Sequence, residues 1–341
     1  QVWLGLQNVF ATKQSVQILT GTGSAAMEAA IINTLSSGDE ALVVVSGKFG
    51  ERWAEMCEEF GIKTHRWNLT WGQAVSSQEF EQQLKAHPGV KAVFTQACET
   101  STATLHPVRS MAQAVRKFTP DALFIVDAIT AIGCMPLPMD EWEIDVMVAG
   151  SQKAFMIPTG LSFIALSERA WAAQAKSQIK KFYFNLASEK MFNAKGDTQF
   201  STPTPLVQGL AVVLERLAQA GPERLYKRCT TLSQATRSMG EALGLKTYSQ
   251  SPSASVTALA TPNDSSMIRD WLEKERHITI MGGQDQLKGK ILRVGHMGDV
   301  RDDDMVALCA ALGEALNKQN EAQQFASQMS ALLRSAEPLF P

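Results

Sequence analysis

The sequence has 341 residues, about the length of two ordinary domains and long enough to bury a substantial core. Its 45% hydrophobic and 19% charged residues exclude a disordered or low-complexity chain, and 32 Lys+Arg against 34 Asp+Glu, a formal charge of -2, exclude a basic field that would draw it to nucleic acid or an anionic membrane. The longest apolar runs, such as 41–45 and 122–126, fall far short of the roughly 20 residues that span a bilayer. Small molecules are the expected partners.

Through the first two thirds, short apolar runs alternate with helical patterns, the signature of βα units feeding a mostly parallel sheet. Strands are expected over Val16–Thr20, Ala41–Val45, Lys63–Trp67, Ala92–Thr95, Leu123–Asp127, Asp145–Ala149 and Leu161–Leu166. Several are continuously apolar, as strands covered on both faces are. Helices are expected over Ala25–Leu35, Phe49–Phe60, Gln78–Ala86, Val108–Phe118 and Leu206–Ala220, the last announced by the prolines of 201–205. Gly221-Pro222 then breaks the pattern, and a long helix runs from Glu223 to about Leu243. Strands Ser255–Ala260 and Ile291–Val294 follow, with helices near Ser265–Glu275 and Asp302–Leu316. Met305, Leu308, Leu312 and Leu316 give the last of these one buried face. The expected organisation is a large domain over 1–220 and a smaller α+β domain over 221–341. Five scattered cysteines without a CxxC pair point to reduced thiols in a cytosol-like compartment and to no metal site. The chain opens at Gln1, so further N-terminal sequence is expected to precede it, which leaves peroxisomal or mitochondrial targeting open.

Three constellations carry chemistry. Gly21-Thr22-Gly23-Ser24-Ala25-Ala26 lies between a strand and a helix, where small residues and unpaired N–H groups suit a phosphate; the alternative is a tight βα turn. A dinucleotide fingerprint is disfavoured because the next strand ends Val45-Ser46-Gly47-Lys48, without the acid that would hold a ribose. Leu123–Asp127 delivers a carboxylate to a strand's carboxyl end, where a helix cap or turn is the alternative role. Val146–Lys153 presents a lysine among apolar residues, where desolvation would favour the neutral, nucleophilic amine; a solvated loop lysine is the alternative role. A strand-end Asp, a strand-end Lys and a phosphate turn together are the parts that a pyridoxal phosphate (PLP) site needs.

Several segments then occur in order: 22–28, Gly47-Lys48-Phe49-Gly50-Glu51-Arg52, Glu99-Thr100-Ser101-Thr102, Val126-Asp127-Ala128, Gly150-Ser151-Gln152-Lys153 and Leu292-Arg293-Val294-Gly295. This series resembles the class V aminotransferases, most closely the alanine-glyoxylate/serine-pyruvate branch, over nearly the whole chain. The resemblance implies the PLP-dependent fold type I: a mostly parallel seven-stranded sheet with helices on both faces, a smaller C-terminal α+β domain, and a homodimer with active sites at the subunit interface. It also implies that Lys153 forms the Schiff base and moves the substrate proton, and that Asp127 holds the pyridinium nitrogen. Gly23, Ser24 and Gln152, beside Thr22, would hold the phosphate, Thr100 would face the ring's phenolic oxygen and Phe49 would stack on it. Ser201 or Thr202 would reach the partner's phosphate. Arg293 would clamp the substrate carboxylate, an internal ion pair to Asp299 or Asp302 being its alternative role. The family's His-Gly before Glu-Ser-Ser is here Ala97-Cys98 before Glu99-Thr100-Ser101, a departure beside the ring.

The expected reaction moves an amino group from alanine or serine to glyoxylate or pyruvate. The alternatives are a PLP lyase or cysteine desulfurase on the same fold, or a non-catalytic PLP-binding subunit of a larger complex. Cys98 and Cys309 are poorly placed for a persulfide thiol, His106 and His296 read as structural, and the tryptophans read as packing.

Overall fold

The computed structural model describes residues 1–339. The main sheet contains seven strands: β1 (Val16–Thr20), β2 (Glu40–Val45), β3 (Lys63–Asn68), β4 (Ala92–Gln96), β7 (Leu123–Asp127), β8 (Val146–Gly150) and β9 (Leu161–Leu166). The two-residue strands β5 (Cys98–Glu99) and β6 (Thr104–Leu105) form a separate hairpin. The order across the sheet is β1-β9-β8-β7-β4-β2-β3, and only β9 runs against its neighbours.

Continuous apolar strands conceal a period of two. Leu42, Val44, Phe124, Val126, Met147 and Ala149 join one buried cluster, whereas Ala41, Val43, Val45, Ile125, Val146 and Val148 join another. Each face of the sheet therefore meets its own helices. The first is covered by α1 (Val2–Phe10), α4 (Ser77–Ala86), α5 (Val108–Phe118) and α8 (Thr204–Ala220). The second is covered by α2 (Gly23–Thr34), α3 (Lys48–Glu59), α6 (Glu168–Gln174) and α7 (Leu186–Asn193). Helix α2 is apolar around most of its circumference, which fits a helix enclosed on all sides. Its buried amide, Asn33, is satisfied: Nδ2 donates to the carbonyls of Ala29 and Phe184 at 2.8 and 2.7 Å, and Oδ1 accepts from Leu186 N–H at 3.1 Å.

The chain then builds a second, antiparallel sheet from β10 (Lys246–Thr247), β11 (Val256–Ala260), β12 (Met281–Gly282) and β13 (Ile291–Gly295), in the order β10-β11-β13-β12. Helices α9 (Pro222–Ala242), α10 (Ser265–Arg276), α11 (Asp302–Ala315) and α12 (Gln319–Leu333) cover it and enclose a separate apolar cluster around Leu259, Leu292 and Leu312. The two sheets and the helices on both faces of the first are the α/β architecture expected from sequence. The sequence reading did not include α1, α6, α7, α12 or the two-residue strands. Helix α2 also begins at Gly23 rather than Ala25, so the glycine turn is itself the helix's first turn. Among the described residues, no helix is long and apolar enough to cross a membrane.

Strand β4 lies inside the sheet between β7 and β2, and Phe94 on it is fully buried against Trp53, with ring centroids 4.9 Å apart. Phe94→Ala should therefore lower the unfolding free energy by about 3–5 kcal/mol, read from urea denaturation of the purified protein.

Candidate functional site

In open α/β sheets, ligands gather beyond the carboxyl ends of the strands. Here the segments following β1, β2, β4, β7 and β8 all contribute to one cavity of about 190 Å³, lined by Thr22, Gly23, Ser24, Phe49, Arg52, Thr100, Asp127, Ile129, Thr130, Gln152 and Lys153. Of the residues singled out from sequence, Thr22, Gly23, Ser24, Phe49, Thr100, Asp127, Gln152 and Lys153 all line it.

Asp127 closes the wholly buried strand β7. Ile129 N–H donates to its Oδ1 at 2.8 Å, but burial, helped by the charge of Glu99, pushes the carboxyl up from its ordinary value to about 7. Arg52 and Lys153 pull the other way. Burial also lowers the Lys153 ammonium, and the Arg293 guanidinium lowers it further, while Asp127 opposes both. An amine of lowered basicity and a carboxyl of raised pKa thus share one cavity.

At the amino end of α2 the first N–H groups have no intrahelical acceptor, and the Thr22 side chain does not cap them. A Cβ placed on Gly23 would lie 2.5 Å from Ile129 Cδ1, so glycine leaves room between this turn and the turn after β7. Arg52 Nη1 donates to Ser24 Oγ at 3.2 Å, and its guanidinium lies 5.0 Å from the centroid of the Phe49 ring. Thr100 and Thr130 share a hydroxyl hydrogen bond of 2.7 Å.

Arg293, on β13, reaches this region from the second sheet. It is only 7% exposed, its Nε donates to Gly282 O and its Nη1 to Thr100 O, both at 2.9 Å. The ion pair considered from sequence does not form: Asp302 pairs with Arg228 at 2.7 Å and Asp299 with Arg301 at 3.6 Å. Ser201 and Thr202 lie apart from the cavity; Ser201 is exposed, and Thr202 lines a different depression beside Val2, Trp3 and Ile18.

The sequence reading assigned no role to Arg52, Ile129, Thr130 or Glu99. Glu99 is fully buried; Oε2 accepts from Phe49 and Gly50 N–H at 3.1 and 3.0 Å, and Oε1 from Ser101 N–H and Oγ at 3.1 and 2.6 Å. It fastens the first turn of α3 to the turn carrying Thr100. The signal for Arg52 was its three-residue spacing from Phe49, which puts both on one helix face. His106 and His296 are buried and neutral, against Ser46 Oγ at 2.7 Å and Thr257 Oγ1 at 2.9 Å respectively, which are structural positions.

A family model described as aminotransferase class-V matches residues 5–296. The chain belongs to the class-V aminotransferase family. A soluble hydrogenase small subunit from Synechococcus is 39% identical over 317 residues, spanning 92% of this chain and 82% of that protein. A serine–glyoxylate aminotransferase from Methylorubrum extorquens is 31% identical over 312 residues, spanning 88% and 78% respectively. The crystal structure of an alanine–glyoxylate aminotransferase from Nostoc superposes with a TM-score of 0.88 at 26% identity, covering 92% of this chain and 85% of that one. The fold is the PLP-dependent type I fold and the cofactor is pyridoxal phosphate. The donors fit that group: free helix N–H groups with a guanidinium beside them, a strand-end carboxylate, and an amine with depressed basicity around one cavity.

Asp127 also has a thermodynamic signature. With its carboxyl near 7 in the folded chain and near 3.8 when exposed, the unfolded state binds fewer protons between those values, so this residue lowers stability as pH rises from about 4 to 7. Asp127→Asn should accordingly raise the stability of the cofactor-free protein at pH 8 by about 1–3 kcal/mol and leave it little changed at pH 4, read from thermal unfolding at both values.

Proposed function

We propose that this class-V aminotransferase moves an amino group from a small amino acid, alanine or serine, to a small 2-oxo acid, glyoxylate or pyruvate. The observation that carries the reading is the convergence of Lys153, Asp127 and the α2 amino-terminal turn on one cavity, with Arg293 tied to the carbonyl of the Thr100 turn at its rim. The relatives named above as serine–glyoxylate and alanine–glyoxylate aminotransferases support the substrate class.

Bound pyridoxal phosphate supplies an aldehyde for an amine and an electron sink for the electrons left on the substrate's α-carbon. Lys153 would be the amine that engages the aldehyde, and its Nζ would take and return the α-proton; burial lowers the basicity of that nitrogen, in the direction a nucleophile and base needs. Asp127 holds the ring-nitrogen proton through a charge-assisted hydrogen bond of about 1.5–3 kcal/mol. Gly23, Ser24 and Gln152 would hold the phosphate, Thr100 would face the ring oxygen, and Phe49 would cover a ring face. Arg293 holds the substrate carboxylate. Nη2 of Arg293 has no partner among the described residues, and Nη1 would turn from Thr100 O toward the incoming anion. The small cavity favours short side chains on the substrate.

Ser201 or Thr202, neither of which lines its own chain's cavity, completes the site of a second copy in a homodimer. The exposed Leu4 and Val212 on the outer helices, and the exposed Phe182 beside Phe200, support a face that another chain covers. A second reading, a subunit of a larger assembly, is favoured by the name of the Synechococcus relative. Turnover by the isolated chain decides between the two.

The test is a screen of amino donors against oxo-acid acceptors with purified protein, following the absorbance of the lysine–cofactor bond and the new amino acid. Alanine or serine with glyoxylate or pyruvate should turn over fastest; turnover confined to large or dicarboxylic donors would overturn the substrate assignment. Lys153→Ala should fold, bind the cofactor without the lysine-bond absorbance and lose transamination. Asp127→Asn should keep the fold and lose about 100-fold or more in kcat, measured by steady-state kinetics at saturating cofactor.

A further inference from the structure

Among the described residues Arg52 is in no ion pair; its contacts are Ser24 Oγ at 3.2 Å and the Phe49 ring at 5.0 Å. Its neighbour Glu51 is engaged by Lys48, at 3.5 Å. A half-buried guanidinium facing a cavity with no carboxylate in contact awaits an anion, and Ser24 fixes the end of the cavity at which it waits.

We propose that Arg52 is a ligand of the cofactor's phosphate, and that it makes this chain select phosphorylated over unphosphorylated forms of the cofactor. The inference rests on the reading that the Gly23–Ser24 turn is the phosphate cradle. A phosphate ester near pH 7 carries about -1.5 to -2 charges, whereas a helix amino terminus offers the equivalent of about +0.5. Gln152, the other phosphate residue in the proposed assignment, is neutral, and Lys153 is committed to the aldehyde. The remaining deficit calls for a full cation at the α2 end of the cavity, and Arg52 is the guanidinium there. Its Nη1 already touches Ser24 Oγ, which leaves Nη2 and Nε to bind two oxygens side by side, a geometry that an ammonium lacks. Position is secured from behind. Glu99 grips the N–H groups of Phe49 and Gly50, so the first turn of α3 is fixed at the cavity and Arg52 emerges one turn later on the face of Phe49.

The test compares pyridoxal phosphate with pyridoxal, which lacks only the phosphate. Each is titrated into the cofactor-stripped full chain, with binding followed by tryptophan fluorescence and by the lysine-bond absorbance. Arg52→Met keeps the apolar stem and should lower the ratio of the pyridoxal to the pyridoxal phosphate Kd by about 10- to 100-fold, through weaker phosphate-ester binding alone. Arg52→Lys should fall between Met and the parent chain. Inorganic phosphate should compete with pyridoxal phosphate less well in Arg52→Met than in the parent. Gly23→Ala, which crowds the turn against Ile129, should also lower the ratio. If Gly23→Ala lowers the ratio and Arg52→Met does not, the cradle stands and the role of Arg52 is overturned. If neither lowers it, the cradle reading fails and takes the inference with it. A lower Tm with an unchanged ratio in Arg52→Met would make Arg52 a helix-docking residue and overturn the proposal equally.

Discussion

The rest of the site depends on one constraint, a carboxylate at the end of an entirely buried strand. Asp127 is largely withdrawn from water, and one backbone N–H from Ile129 does not balance that loss, as its raised pKa records. Folding tolerates the residue because cations were placed around it. Lys153 comes from the turn after the adjacent strand β8 and Arg52 from the helix after β2, and both pull the carboxyl toward ionisation. The parallel topology makes this possible, since strands aligned in one direction bring their carboxyl ends, and the polar turns that follow them, to a single edge. A cationic ring nitrogen set against Asp127 would complete the neutralisation that the chain leaves unfinished. Under the proposed assignment the cost to the cofactor-free fold is recovered when the cofactor binds.

A second buried carboxylate works differently. Glu99 is also pushed toward the neutral form by burial, yet four hydrogen bonds from Ser101 and the start of α3 surround it. It is saturated by donors of its own chain, whereas Asp127 is not. That contrast separates a carboxylate that holds the architecture from one available to a ligand, although both end buried strands on the same edge of the molecule. Similar logic separates the arginines. Arg228 is fully buried, and its charge is met by Asp302 while its Nη1 and Nη2 donate to the carbonyls of Ala336 and Val300, whereas Arg293 spends its donors on carbonyls alone. Carbonyl contacts leave the positive charge uncancelled, and an arriving carboxylate can improve on them. The Arg293 contacts also join the two sheets, because Thr100 follows β5 and Gly282 lies on β12. The Lys48–Asp285 pair at 3.2 Å and the Leu105–Ser251 backbone hydrogen bond at 2.8 Å cross the same seam. The exposed pair contributes little stability by itself, but together these contacts set where Arg293 stands relative to the cavity.

Much of this was legible in the sequence because the chemistry sits at strand ends, and strand ends are where apolar runs stop. Leu123–Asp127 and Val146–Lys153 show their polar residues by contrast with what precedes them. What was not legible follows from distance along the chain. Nothing local to Leu161–Leu166 says that β9 runs against its neighbours or that β1 closes beside it. Two-residue strands such as β10 and β12 carry no periodicity to detect. Helix α1 is nine residues long and has no side-chain cap, so only its docking against α8 and the sheet makes it a helix. Helix α12 is a different case: Ala322, Phe325, Met329 and Leu333 recur at helical spacing, so its signal was present and diluted by five glutamines and asparagines among fifteen residues. Glu99 could not be read as the anchor of α3, because its partners lie about fifty residues earlier.

Charge arithmetic explains why the cofactor can be read more firmly than the substrate. A cofactor with a phosphate, a basic ring nitrogen and an aldehyde demands three chemically distinct partners, and a sequence that supplies all three at strand ends is over-determined. A small amino acid demands one carboxylate partner and the absence of bulk. In the proposed assignment the first requirement falls to Arg293, which would serve any α-amino acid alike and so would not discriminate among donors. The second is a volume, set within this chain by residues such as Phe49, Ile129 and Thr100, and volumes emerge only when the chain is folded. Discrimination by a methyl or hydroxymethyl group is worth about 1–3 kcal/mol in a pocket of this kind, the scale of a single repacked side chain. Ala97-Cys98, standing where the family usually has His-Gly, lies directly behind the Thr100 turn, with Cys98 Sγ accepting from Ser255 Oγ at 3.5 Å. A change there would shift the turn that carries Thr100, and with it one wall of the cavity, whereas Asp127, Lys153 and the α2 turn come from other segments; under the proposed assignment the cofactor's partners are therefore fixed more tightly by the sequence than the choice of amino donor.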